Sequence, residues 1–333
     1  MRRNNYLLLA LMIGSFGANM VRCQVSPEPA PPKTSRPGVL LLAHGGHVQT
    51  WNEEVRHVAD RVDLTIPTEI AFGMASKATI QDGINRLIAR GVTEIVAVPL
   101  FVSSHSSVIE GTAYLLGLRA DAPEDLKDFV GMDHGASSMP AAMASGTMTP
   151  GSMANDSAKI AEQMKPIVAS VPIRMTAALD HDELVAQILV DRAASISQNP
   201  SREVVILVAH GPVPDDDNKL WLSDMKALGD QMKKHSTYAG IVCLTLRDDA
   251  EDPVKNAATE ELRQTVGRIH KAGNTPLVVP LLLSYGGIEE GLRKRLSGMD
   301  FKMPSQALLP DPRIAAWVTA RATNSSTDSV ARK

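Results

Sequence analysis

The feature that most constrains this chain is an apolar run that stops at a histidine and a glycine, and does so twice. Val39-Leu40-Leu41-Leu42-Ala43 is followed by His44-Gly45-Gly46-His47, and Val204-Val205-Ile206-Leu207-Val208-Ala209 by His210-Gly211. A short, unbroken apolar run bounded by glycine reads as a strand buried on both faces, which is the mark of a parallel sheet. In open parallel sheets ligands bind beyond the carboxyl ends of the strands. A polar imidazole placed twice at such a tip is therefore a candidate for function.

Alternating apolar runs and helical patterns continue to the end of the chain, which argues for an α/β fold of repeated βα units. In the first half, helices are expected at 49–61, 79–90, 107–118 and 181–195, with strands at 64–72, 93–102 and 171–177. In the second half, helices are expected at 216–234, 253–272, 286–296 and 312–320, with strands at 204–210, 238–246 and 276–283. Three landmarks recur in the same order. Ala43-His44-Gly45 pairs with Ala209-His210-Gly211, Val98-Pro99-Leu100-Phe101-Val102-Ser103 with Val279-Pro280-Leu281-Leu282-Leu283-Ser284, and Ala178-Leu179-Asp180-His181 with Leu308-Leu309-Pro310-Asp311. An ordered repeat of this kind reads as a duplicated domain, with a first copy at 38–198, a second at 199–322 and a disordered tail at 323–333. The first copy is about fifty residues longer, which places an insertion at about 121–169, and a patternless stretch of that length is expected to be a mobile loop or lid.

The amino terminus carries Arg2 and Arg3, an apolar run from 6 to 13 and then small residues, the layout of a secretory signal peptide over 1–24. A Pro-rich spacer follows at 25–37. These features lead us to expect a periplasmic or otherwise exported protein with no membrane segment beyond the leader. The two cysteines, Cys23 and Cys243, build neither a disulfide framework nor a cysteine-rich zinc site. A net charge of -3 offers no basic footprint for nucleic acid.

His44 and His105 form the strongest candidate pair. His105 follows the 93–102 strand within Val102-Ser103-Ser104-His105-Ser106-Ser107, so both histidines leave strand carboxyl ends in the same half. Imidazole ligates iron, cobalt, nickel and zinc, and it titrates near neutrality as a base. Glu110, one turn into the next helix, is a candidate proton shuttle, although a first-turn glutamate is also what a helix dipole favours. Glu289 and Glu290 hold a similar place in the second half, and His47 is a weaker third ligand. Asp180-His181-Asp182-Glu183 reads as a helix cap. Met132, Met139, Met143, Met148, Met153 and His134 crowd the insertion, either as soft copper(I) ligands or as a loosely packed loop.

A strand ending in His-Gly, then a Pro-Leu-Phe-x-Ser strand and a nearby histidine, resembles the sirohydrochlorin chelatase (CbiX-type) family. The repeated layout resembles its long, two-domain form. The resemblance implies a chelatase-like fold of two similar domains, each a parallel sheet flanked by helices, facing across a cleft. It implies a lyase that inserts cobalt or ferrous iron into sirohydrochlorin without ATP, so that a divalent metal (cobalt, iron or nickel) is a substrate, the tetrapyrrole is the partner, and no nucleotide is needed. It further implies a monomer whose duplicated halves replace a dimer. Residue by residue, His44 matches the family's first metal-binding histidine. Many members carry Gly-x-His after the Pro-Leu-Phe strand, whereas here His105 arrives about two residues earlier. In the second half Tyr285-Gly286-Gly287 stands where a histidine is wanted, which leads us to expect one working site, in the first half.

An esterase reading of Ala43-His44-Gly45-Gly46 requires a Gly-x-Ser-x-Gly elbow, which is absent, and no phosphate-binding glycine loop is present. The alternative from a different class is an exported metal- or haem-binding carrier on the same fold, without catalysis.

Overall fold

The apolar runs become the strands. In the computed structural model, which describes residues 35–127 and 160–324, β1 (Pro37–Ala43), β2 (Thr68–Phe72), β3 (Glu94–Pro99) and β4 (Ile173–Met175) form a sheet in the order β2-β1-β3-β4. β5 (Glu203–Ala209), β6 (Gly240–Thr245) and β7 (Thr275–Leu281) form a second, in the order β6-β5-β7. Every ladder is parallel. Each His-Gly strand is thus central in its sheet and covered on both faces, which is why each reads as an unbroken apolar run. The leader, the centre of the insertion with its methionines and His134, and the last residues of the tail lie outside the described residues. Among the described residues no helix is long and apolar enough to cross a membrane.

The helices that lie wholly within the described residues are α1 (Gln49–Asp63), α2 (Lys77–Ala89), α3 (Ser107–Leu115), α4 (Glu183–Ala194), α5 (Asp215–Lys234), α6 (Asp252–Lys271), α7 (Ile288–Arg295) and α8 (Pro312–Thr323). The strand expected at 64–72 begins only at Thr68. Asp63 accepts a hydrogen bond from the Thr68 N–H at 2.7 Å and closes the exit of α1, and Pro67 has no N–H to donate to a ladder. Leu64, at 84% exposure, lies outside the core. The second sheet lacks a full fourth strand: its counterpart of β4 is a single parallel bridge between Leu277 and Lys302, followed at once by Pro304.

Period-two alternation sorts the strand side chains between two layers. Val39, Leu41 and Ala43 of β1 and Val205, Leu207 and Ala209 of β5 enter one core shared by both sheets. Leu40 and Leu42 face a second core with α2 and α3, while Val204, Ile206 and Val208 face a third with α6 and α7. Each fully buried Leu or Val contributes roughly 1.5–3 kcal/mol relative to exposure. The shared core also takes the apolar faces of α1, α4, α5 and α8.

Two of those inner helices, α4 and α8, are exchanged between the halves. α4 precedes the second sheet in sequence yet packs on β7 and α5, while α8, last in the chain, packs on α1, β1 and β3. Reciprocal polar contacts hold the exchange. Arg192 of α4 donates to the carbonyls of Ala307, Leu308 and Pro310 and lies 3.8 Å from Asp311, the N-cap of α8. Arg321 of α8 and the Trp317 indole N–H each reach Asp182, the N-cap of α4, at 2.9 Å. From Ser35 onward the described residues form one compact unit.

The same contacts correct the third landmark by one residue. The Leu179 N–H donates to the Phe101 carbonyl and the Leu308 N–H to the Leu282 carbonyl, so Leu179 corresponds to Leu308. Asp182 then corresponds to Asp311 and Arg192 to Arg321. A string match on two leucines cannot distinguish neighbouring registers; the caps can.

Candidate functional site

β1 ends at Ala43, and Gly45 takes φ +82°, as Gly211 takes φ +76° after β5. This left-handed step turns the backbone off the sheet just after each imidazole, a conformation glycine adopts at little cost. A Cβ at Gly211 would lie 2.6 Å from the Thr245 Cβ, so space as well as conformation demands glycine. The His44 side chain is exposed, and its Nδ1 lies 2.6 Å from the Gly45 carbonyl oxygen. A carbonyl only accepts, so Nδ1 is the donating nitrogen of this contact.

β3 lies beside β1, with Pro99 opposite Leu42 and the Leu100 N–H donating to the Leu42 carbonyl at 2.8 Å. The loop that then carries His105 is built by its serines. The Ser103 hydroxyl accepts from the His105 N–H at 3.1 Å. Ser104 donates to Asp180 from its N–H at 2.5 Å and its hydroxyl at 2.8 Å, while that hydroxyl accepts from the Ala178 N–H. Ser106 caps α3, and the Ser107 hydroxyl donates to Asp125 at 2.8 Å. The serine run is therefore a pinned loop, and Asp180 serves as its anchor. Both histidines expected from sequence stand at carboxyl ends of adjacent strands in one sheet.

Three further residues at this tip carried no individual signal in sequence. The Trp221 indole of α5 donates to the His105 carbonyl at 2.7 Å. Asp224, one turn on, places Oδ2 3.4 Å from His105 Nε2 and Oδ1 2.8 Å from His181 Nδ1. Asp217 lies in the first turn of α5. Burial, and next the charge of Glu110, push its carboxyl above the ordinary range, while the His105 imidazole pulls it the other way. Glu110 itself is exposed and pairs with Arg119 at 2.5 Å. Glu110, Asp125 and Asp217 make an acidic rim beside His105. Among the described residues no three His, Cys, Asp or Glu side chains converge as a ready metal centre, so His47 does not complete one with the pair. Asp182 acts as the helix cap expected of its segment.

The second half is built differently at the same place. His210 Nε2 lies 3.4 Å from Asp249, an exposed carboxylate. Gly286 occupies the position equivalent to His105, with Trp51 against it as Trp221 is against His105; a Cβ at Gly286 would sit 3.2 Å from the Trp51 ring. Glu54, equivalent to Asp224, accepts from the Ser284 hydroxyl. Tyr285, whose phenol burial pushes up to about 12, donates to the Pro304 carbonyl at 2.9 Å. Glu289 accepts from the N–H groups of Gly286 and Gly287, a structural role. The repeated pair Trp51-x-x-Glu54 and Trp221-x-x-Asp224, one after each His-Gly turn, was the available sequence signal for the α5 residues.

The family pattern named CbiX matches residues 38–196. This part of the chain is similar to the CbiX family. The CbiX segment holds the first sheet, both candidate histidines, Glu110 and the exchanged helix α4; Trp221 and Asp224 lie outside it. A sirohydrochlorin cobaltochelatase from Methanothermobacter thermautotrophicus is 31% identical over 83 residues, 24% of this chain and 58% of that protein. One from Saccharolobus islandicus is 28% identical over 85 residues, 25% of this chain and 66% of that protein. The similarity thus spans less than two thirds of either relative. Among solved structures, SirB from Bacillus subtilis with Fe3+ matches with a TM-score of 0.54 and 17% identity, over 87% of this chain and 97% of that one. SirB from the subspecies spizizenii in complex with cobalt matches at 0.51 with 16% identity and the same coverage. These likenesses extend the CbiX-type, chelatase-like fold through the second half.

Proposed function

We propose that this protein inserts a divalent metal, cobalt or ferrous iron, into a sirohydrochlorin-type tetrapyrrole without a nucleotide. The observation that carries this reading is the presence of two imidazoles, His44 and His105, on adjacent parallel strand tips inside the CbiX segment. His44 and His105 each supply one imidazole to the pair. Two protein ligands leave open coordination positions for water and incoming pyrrole nitrogens, as a metal that must depart requires; closed structural sites use four. The acidic rim of Glu110, Asp125 and Asp217 concentrates dications near the tip. The reaction exchanges one dication for two pyrrole protons and transfers no electrons. Neutral imidazole accepts such protons, and Glu110 passes them to solvent. Nickel is a further candidate substrate by ligand type. The protein acts as a monomer, its two halves standing where a dimer would, after export and loss of residues 1–24.

The test is absorbance of the purified protein with sirohydrochlorin and cobalt or ferrous iron. Metallated product accumulating over many turnovers supports insertion. Capture that stops at one equivalent refutes catalysis and makes the protein a metal or haem carrier.

A further inference from the structure

The second half lacks a complete histidine pair, yet its helix α5 reaches across to the first. One face of α5 grips two loops at the carboxyl edge of the first sheet. Trp221 holds the His105 carbonyl and Asp224 faces the His105 ring, while Asp224 and Gln231 hold the ring and carbonyl of His181. Residues 221, 224 and 231 share a face by helical spacing. The Asp224 carboxylate is only 16% exposed, and its Oδ2 is buried without a hydrogen-bond partner. A buried oxygen of this kind is costly unless satisfied. The polar atom opposite it is His105 Nε2 at 3.4 Å, close enough for a small ring rotation to complete the bond. The other oxygen is already held by His181, so the carboxylate is fixed in place.

We propose that Asp224 is a positioning residue for His105: it keeps the hydrogen on Nε2 and so leaves Nδ1 as the nitrogen available to a metal. An anionic acceptor selects the tautomer in which the facing nitrogen bears hydrogen, and it also makes the other nitrogen a stronger ligand. The inference rests on the reading of His105 as a metal-holding residue. The opposite half supplies the internal comparison. There the position equivalent to His105 is Gly286, and the equivalent carboxylate, Glu54, accepts from the Ser284 hydroxyl. The second half thus contributes to the site a helix that sets the orientation of the first half's ligand.

The experiment uses the full chain labelled with nitrogen-15, with two-bond proton–nitrogen correlation spectra to report the His105 tautomer and titration with cobalt(II) alone to report affinity. Asp224→Ala should lose the Nε2–H tautomer at His105 and weaken cobalt binding roughly ten- to a hundred-fold. Asp224→Asn preserves side-chain size, should move both readouts the same way by less, and decides the matter where the alanine variant does not fold. Wild-type tautomer and wild-type cobalt affinity in these variants would overturn the positioning role. His105→Ala separates the two readings. If it binds cobalt as well as wild type, the metal site and the positioning role both fall; if it binds weakly while Asp224 variants bind normally, only the positioning role falls.

Discussion

Replacing Asp311 by alanine should destabilise the protein by about 2–3 kcal/mol, because that one carboxylate fastens the exchanged helix α8. It caps α8 by accepting from the Arg313 N–H at 3.0 Å, and loss of such a cap costs about 1 kcal/mol. It also accepts from Arg313 Nε and Nη2 at 2.9 and 2.7 Å and faces Arg192 at 3.8 Å. Breaking a fully buried ion pair costs about 3–5 kcal/mol. Here Arg313 is 34% exposed and retains Asp191 at 2.6 Å, so the charge term scales down to about 1–2 kcal/mol. Asp311→Asn keeps the cap acceptor and should lose only that second part. Burial raises the Asp311 carboxyl, but the Arg313 side chain and N–H, with Arg192, outweigh it and hold the group below the ordinary range. A lowered folded value means the contribution is complete above the unfolded value of about 4 and is lost as pH falls through the folded one. The gap between wild type and Asp311→Asn should therefore close below about pH 4. Urea unfolding followed by tryptophan fluorescence measures both effects. An alanine variant within about 0.5 kcal/mol of wild type at neutral pH, the range of ordinary surface changes, would refute the argument. So would a gap to Asp311→Asn that persists in acid.

Other consequences are open to direct measurement. His44→Ala should abolish metal insertion while His210→Ala costs much less, since only the first-half tip keeps two histidines; equal losses in a turnover assay would contradict a single working site. Residues 35–199 expressed alone should give no cooperative unfolding transition, because β1 and β3 would lack Ile314, Trp317 and Val318 from α8. A monodisperse, two-state half by circular dichroism would count against the exchange. Intact mass of protein recovered from the periplasm of an expression host should show a chain lacking roughly the first 24 residues, as a processed leader requires; a full-length cytoplasmic product would argue against export.

The local text of the chain determined the elements and their order. Apolar runs such as 39–43 and 204–209 cannot be satisfied except as central parallel strands, and helical periodicity needs no distant partner to be read. The His-Gly tips and the family likeness were legible for the same reason, since strand, turn and ligand lie within ten residues of one another. Three-dimensional packing decided which helix covers which sheet. α4 and α8 are equally amphipathic wherever they dock, and nothing local marks them as exchanged; only the shared core and the pairs Arg192–Asp311 and Arg321–Asp182 select that arrangement. It also decided the partner of His105. Asp224 lies 119 residues away in sequence (224 − 105), and a carboxylate on the polar side of a helix reads as solvated until the fold lays that helix across the tip of β3.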